Sequence, residues 1–337
     1  MGSMPRYGWN FQWMLVGEGE RPLPTDERAL DFLARHGFDF VRLPTDYRVW
    51  TTGFDYLHPD GSVFASIDDA LEQCKARDIH LSLNLHRAPG YCITRQEIER
   101  DDLWHDAVAQ DGFVAIWEGF ARRYLGVPAD ALSFDLVNEP PAIGLRGFTR
   151  NDHEQLIRRT VTAIRTIDPT RPIVIDGLDG GNLALPELTD LGLTHSGRGY
   201  APYPVSHWGA DWFDGWRLGD APRWPGVLYE GRRWGRDDLC AFYAPWRAVA
   251  EGGTPVHIGE FGCYDQTPQA DALRWLGDLL GLWREAGWGW AMWNFEGPFG
   301  IVGHRRSGAR FEMRHGYLVD VDLLDLLLAS RRPDPTG

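Results

Sequence analysis

Eight short apolar and β-branched runs recur along the 337-residue chain, at 7–11, 40–43, 80–85, 132–137, 172–175, 198–201, 255–258 and 288–293. Between most of them lie stretches of helical periodicity, at 26–37, 67–77, 111–125, 151–167, 239–252 and 267–286. Parallel strands need a crossover of a dozen or more residues between them, and a helix is the usual crossover. The alternation therefore predicts a parallel sheet wrapped by helices, and eight strands predict its closure into a single (β/α)8 barrel. Thr25 reads as the cap of the first helix, and Pro169 and Gly287 stand just past the ends of two others.

No Pro-rich or Ser/Gly-rich linker divides the chain and no solenoid repeat appears, so residues 1–337 read as one catalytic domain. Met1-Gly2-Ser3 reads as a cloning remnant before a native Met4, and 331–337 as a loose tail. The segment 202–238, rich in Trp, Tyr, Gly and Pro, reads as one long loop walling a ligand cleft.

A formal charge of −14 argues against a nucleic-acid partner, whose phosphates demand clustered cations. No apolar run is long enough to cross a bilayer, which argues against a membrane span. The expected compartment is cytoplasmic if the chain is whole, and extracellular if a leader has been removed; the oligomeric state is left open. Four cysteines lie far apart without a CxxC pair, which favours free thiols over zinc or redox chemistry. Sixteen tryptophans suit an enzyme of sugars, because an indole face stacks on the apolar C–H face of a pyranose; the plainer reading is that most of them fill the core.

Active sites of such barrels sit at the carboxyl ends of the strands. The residues that end the apolar runs are Arg42, His86, Asn138-Glu139, Tyr200, Glu260 and Trp293. No HxH or HExxH spacing accompanies them, so neither a metal nor another cofactor is expected.

Asn138-Glu139-Pro140 followed by Gly259-Glu260-Phe261-Gly262 resembles glycoside hydrolase family 5, the cellulase family of the clan with catalytic glutamates on strands four and seven. Val41-Arg42-Leu43-Pro44, Leu83-Asn84-Leu85-His86 and Trp290-Ala291-Met292-Trp293 match the second, third and eighth strands of that family in order. The resemblance implies a β-glycosidase acting with retention on oligosaccharides or glycosides of β-glucan or β-mannan type. Glu139 would be the acid/base and Glu260 the nucleophile, because double displacement needs one carboxyl to protonate the leaving oxygen and one carboxylate to attack the anomeric carbon. By the same resemblance Asn138 donates to the sugar 2-hydroxyl, and Arg42 stands beside Glu260. His86 and Trp293 hold the sugar ring, and Tyr200 donates to the nucleophile, with Tyr203 as the other candidate for that role. His207 and Trp208 continue the family pattern, and Trp50, Trp208, Trp212 and Trp224 are candidates for outer subsites.

The sixth strand departs from the pattern. Arg198-Gly199-Tyr200-Ala201-Pro202 carries arginine where the family has a histidine near the acid/base. A cation there opposes a proton held on Glu139. Arg198 is therefore expected either to be offset by another carboxylate or, the preferred reading, to turn toward the substrate. A transglycosylase using the same intermediate and a barrel that only binds carbohydrate are the competing readings; the latter would be expected to lose Glu139 or Glu260.

Overall fold

The computed structural model describes residues 5–17, 19–94, 99–212 and 219–331. The strands Tyr7–Asn10, Phe40–Asp46, His80–Arg87, Leu132–Asp135, Ile173–Asp176, Thr194–Gly199, Val256–Phe261 and Gly289–Met292 form a closed barrel in chain order, with the last neighbouring the first. The recorded pairings are parallel, as in Leu83 against Phe134 and Gly8 against Ala291. Helices interleave with the strands, which makes the architecture the expected (β/α)8 barrel.

Contacts divide the chain into two units: Phe11–Gly197 with Val249–Val256, and Met1–Asn10 with Arg198–Ala248 and His257–Gly337. In the first unit, helix Arg150–Ile167 begins with a capping box of Thr149 and Asp152. It buries His153, Leu156, Ile157, Thr160, Val161 and Ile164, the stripe that a 3.6-residue period places on one face. Buried Arg171 pairs with Asp168 at 2.8 Å and donates to the carbonyls of Leu132, Tyr124 and Val127, tying a helix end to the strand beside it. In the second unit, helix Gln269–Ala286 ends on Gly287 at φ 76°, a left-handed cap that a glycine adopts without steric cost.

Several boundaries differ from expectation. Asp26, not Thr25, caps the first helix, its carboxylate accepting from the Ala29 N–H. The sixth strand starts four residues early, because Thr194–Gly199 contains no large apolar side chain to announce it. The segment 202–238 holds the short helix Tyr203–Ser206 and the antiparallel pair Val227–Tyr229 and Arg232–Trp234. What reads as one helix over 239–252 is two, Arg236–Phe242 and Ala244–Glu251. Trp224 is buried, with its indole N–H on Asp278, and Trp50 packs edge-on against Phe64 and Phe120; both are core residues rather than subsite candidates. The four cysteines are free thiols. Most of 331–337 lies outside the described residues, as do 1–3. Among the described residues no helix is long and apolar enough to cross a membrane.

Two buried histidines in the first unit give the fold a pH dependence. Burial holds His153 down to about 3 and His195 to about 4, against about 6.5 in an unfolded chain. A depressed histidine favours folding fully above the unfolded value, and that advantage is lost as pH falls from about 6.5 toward the folded value. Each histidine should cost about 2 kcal/mol of stability between pH 7 and pH 5. Urea midpoints at the two pH values test this, and His195→Leu should remove roughly half of the drop. Equal midpoints at pH 7 and 5 in the unaltered protein would show that these rings are protonated without penalty.

Candidate active site

In the first unit, Arg42 leaves the second strand fully buried. Its Nε donates to Asp135 Oδ2 at 2.6 Å, and its Nη2 reaches Asn138 Oδ1 at 3.0 Å and Asp176 Oδ2 at 3.5 Å. A buried guanidinium of this kind needs carboxylates around it, and two adjacent strands supply them. With Oδ1 of buried Asn138 engaged by Arg42, the orientation of that amide is set. The sequence reading did not pick out Asp135 and Asp176. Their signal was present: each is an acid at the end of a run of barrel-strand residues, Leu132–Asp135 and Ile173–Asp176.

Glu139 follows four residues after the fourth strand, half-buried, with φ at 48°. A non-glycine residue in the left-handed region costs on the order of 1 kcal/mol and persists only where neighbours hold it. Here the Glu139 N–H donates to Asp176 Oδ2 at 2.9 Å, and the Tyr91 hydroxyl donates to the Glu139 carbonyl. Both clamps act on the backbone and fix where the side chain leaves the chain. Tyr91 also lines a cavity of about 190 Å³ together with Trp104, Phe148, Asp101, His105 and Arg146.

His86, near the end of the third strand, is half-buried. Behind it Arg87 pairs with Glu99 at 2.5 Å and with Asp46 at 3.4 Å, and the Tyr47 hydroxyl donates to Glu99 at 2.7 Å. Burial, with the Glu99 carboxylate beside it, holds the Tyr47 phenol far above its ordinary range, so it stays a donor.

In the second unit, Glu260 near the end of the seventh strand is 4% exposed. Tyr200 donates from its hydroxyl to Glu260 Oε2 at 3.2 Å, and Arg198 Nη2 stands 3.5 Å from Oε1. Of the two tyrosines weighed from the sequence, Tyr200 reaches the carboxylate, whereas Tyr203 packs its ring against His207 and Tyr229. Asn10 donates to the Gly259 carbonyl at 2.9 Å, bracing the residue before Glu260. The last glycine of Gly259-Glu260-Phe261-Gly262 has a steric reason: a Cβ at Gly262 would lie 2.4 Å from the Trp293 carbonyl oxygen. Trp293 is half-buried, and its N–H donates to the Phe261 carbonyl at 2.7 Å.

The preferred reading of Arg198 needs correction. Its side chain is 0% exposed and lies against Glu260, so it offers no surface to a ligand; a buried cation sits where a carboxylate can offset it.

His207 is nearly buried. Its Nδ1 meets the Ser206 hydroxyl at 2.8 Å, and burial pushes its pKa down to about 4, so it is neutral at pH 7. Its ring stands edge-on to Tyr200 and Phe299 at centroid distances of 5.2 and 5.3 Å. Trp208 is half-buried. Among the described residues Trp212 is the strongly exposed indole: 56% exposed, edge-on to Tyr264 at 5.0 Å and inclined to Phe299 at 6.2 Å. Among the described residues no group of three or more His, Cys, Asp or Glu side chains is arranged to hold a metal ion.

The family model for cellulase, glycosyl hydrolase family 5, matches residues 8–297. Endoglucanase C of Acetivibrio thermocellus is 26% identical over 319 residues, which cover 86% of this chain and 89% of that protein. Cellodextrinase A of Ruminococcus flavefaciens is 27% identical over 256 residues, covering 74% and 72%. Among solved structures, one described as a glycoside hydrolase is 56% identical, with a TM-score of 0.96 over 98% of this chain and 100% of that one. Thermotoga maritima Cel5A in complex with mannotriose, at 20% identity and a TM-score of 0.76 over 96% and 97%, shares the fold.

Proposed function

Because the chain belongs to glycosyl hydrolase family 5 and is thus a glycoside hydrolase, we propose that it cleaves β-linked gluco- or manno-oligosaccharides with retention, using Glu139 as acid/base and Glu260 as nucleophile. The observation that carries this reading is the setting of Glu260. The Glu260 carboxylate presents both oxygens to donors, Tyr200 and Arg198, as suits an attacking anion. Glu139 has its backbone held by Asp176 and Tyr91, which sets the point from which the acid/base carboxyl projects.

In the first step the Glu260 oxygen bonds to the anomeric carbon while the bond to the leaving oxygen breaks, and Glu139 delivers its proton to that oxygen. In the second, water attacks the same carbon, gives its proton to Glu139 and releases Glu260. Asn138, oriented by Arg42, would donate to the sugar 2-hydroxyl, with His86 at the same ring and Trp293 beneath it. The relatives, an endoglucanase and a cellodextrinase, support a glucan substrate, and the mannotriose complex of the structural neighbour supports trying mannans alongside. Aryl β-glucosides, β-mannosides and defined oligosaccharides, followed by NMR of the first-formed anomer, test the reading. An α-anomer released first from a β-linked substrate would refute retention.

Trp212 is the natural outer platform, exposed and braced by ring contacts with Tyr264 and Phe299. Trp212→Ala should raise KM for tetra- and pentasaccharides about 5- to 20-fold, the loss of roughly 1–2 kcal/mol of stacking, and leave aryl monoglycosides within about twofold. Equal effects on both substrate classes would remove Trp212 from the subsites.

A further inference from the structure

We propose that Arg198, which stands where the family pattern carries a histidine, is a positioning residue that hastens breakdown of the glycosyl–enzyme intermediate by holding a fixed positive charge against Glu260. The proposal rests on the double-displacement reading above and adds a kinetic role to it.

The contact is of a particular kind. At 3.5 Å between Nη2 and Oε1 it is too long for a strong hydrogen bond, and its effect on Glu260 is chiefly that of charge. The side chain is 0% exposed, so water neither screens the charge nor lets it swing away. Its backbone is equally fixed. The Tyr243 hydroxyl donates to the Arg198 carbonyl at 2.7 Å, and a Cβ at the next residue, Gly199, would lie 2.5 Å from Phe261 Cβ and from the Trp283 ring. Tyr200 meanwhile engages Oε2, leaving Oε1 toward the cation.

A fixed cation acts oppositely on the two steps. As Glu260 attacks, its negative charge passes into a neutral ester while Glu139 gives its proton to the leaving oxygen, and the attraction between Arg198 and Glu260 is lost. As water attacks, the electron pair of the bond from the anomeric carbon to Glu260 returns to the carboxylate and the water proton goes to Glu139, so that attraction is restored. Arg198 thus slows formation of the ester and favours its departure, which is preorganised charge aimed at where charge develops. The enzyme should rest between turnovers as free enzyme, with little covalent intermediate. A neutral side chain at 198 should reverse that balance.

The test is pre-steady-state kinetics with a 2,4-dinitrophenyl β-glycoside of the preferred sugar, with intact-protein mass at steady state. The unaltered enzyme should show no burst of dinitrophenol and little adduct. R198M and R198Q should show a full burst and a dominant adduct. Their kcat should fall about 10- to 100-fold, with KM falling at least as far, so that kcat/KM is maintained or raised. Added azide should restore part of their turnover. R198K, which keeps the charge on a shorter reach, should recover most of kcat and lose the adduct.

A full burst in the unaltered enzyme overturns the proposal, whatever the variants do. So does a parallel loss of kcat and kcat/KM without adduct in folded R198M, R198Q and R198K, the pattern of a merely structural arginine. Trapping with a 2-deoxy-2-fluoro glycoside and mapping the labelled peptide tests the underlying reading separately. A label away from Glu260 sinks the double displacement itself, whereas a label on Glu260 with no change of burst at R198M and R198Q sinks only the role of Arg198.

Discussion

Glu260→Ala should lower kcat on every glycoside substrate by about 10^5-fold, a loss of roughly 7 kcal/mol of transition-state stabilisation, in a protein that stays folded but unfolds earlier because buried Arg198 loses the carboxylate beside it. The size follows from the role: without the carboxylate there is no covalent path, and what survives is only what binding and a proton donor supply. The expected signature is stereochemical as well as kinetic. Truncation opens room beside Tyr200 and Arg198, which contact the carboxylate on its two oxygens. A small anion such as azide can enter there and attack the anomeric carbon once. A single displacement inverts, so the product should be the α-glycosyl azide, readable from the anomeric coupling constant. Activity in the variant above the trace left by contaminating enzyme, or a β-azide from it, would remove Glu260 from the nucleophile's place.

How far the sequence already carried this picture depends on which side of the peptide chain the information lies. The seven strands with apolar residues were legible because a barrel strand is buried on both faces and reads as a continuous run. Thr194–Gly199 was placed four residues late because its buried residues are His195, Ser196 and Arg198 rather than leucines and valines. No element was expected between 294 and 330, yet helix Val321–Ser330 is capped by Asp320 and buries Leu323, Leu324 and Leu327. The signal is an acid before an apolar run of helical spacing, which the strand–helix alternation of the barrel does not call for. At the site, residue types at strand ends were legible, but partners were not. Arg42 binding Asp135 and Asp176, and Arg198 lying against Glu260, depend on which way a long side chain leaves its strand. A one-dimensional pattern does not encode that direction, because packing of neighbouring strands selects the rotamer.

The acid/base role leads to a different pattern of loss. Glu139→Gly should reduce kcat/KM on unactivated oligosaccharides about 10^2- to 10^4-fold, the usual worth of general acid catalysis. With a dinitrophenyl glycoside, whose leaving group needs no proton, kcat/KM should fall only a few-fold. The second step still lacks its base, so the intermediate should accumulate, and azide should release it as the β-glycosyl azide, retained because two displacements have occurred. Glycine is the informative substitution on account of the backbone. Glu139 stands at φ 48°, where a side chain is strained and glycine is not, and its clamps from Asp176 and Tyr91 hold the N–H and C=O that glycine keeps. Set against the greater freedom of glycine in the unfolded chain, the variant should be more stable by about 0.5–1 kcal/mol while almost inactive on natural glycosides. That pairing separates chemistry from folding. A variant that unfolds earlier, or that loses the same factor on activated and unactivated substrates, would show that Glu139 is kept for structure. A gain in midpoint with a leaving-group-dependent loss of rate would show a strained residue retained for the proton it carries.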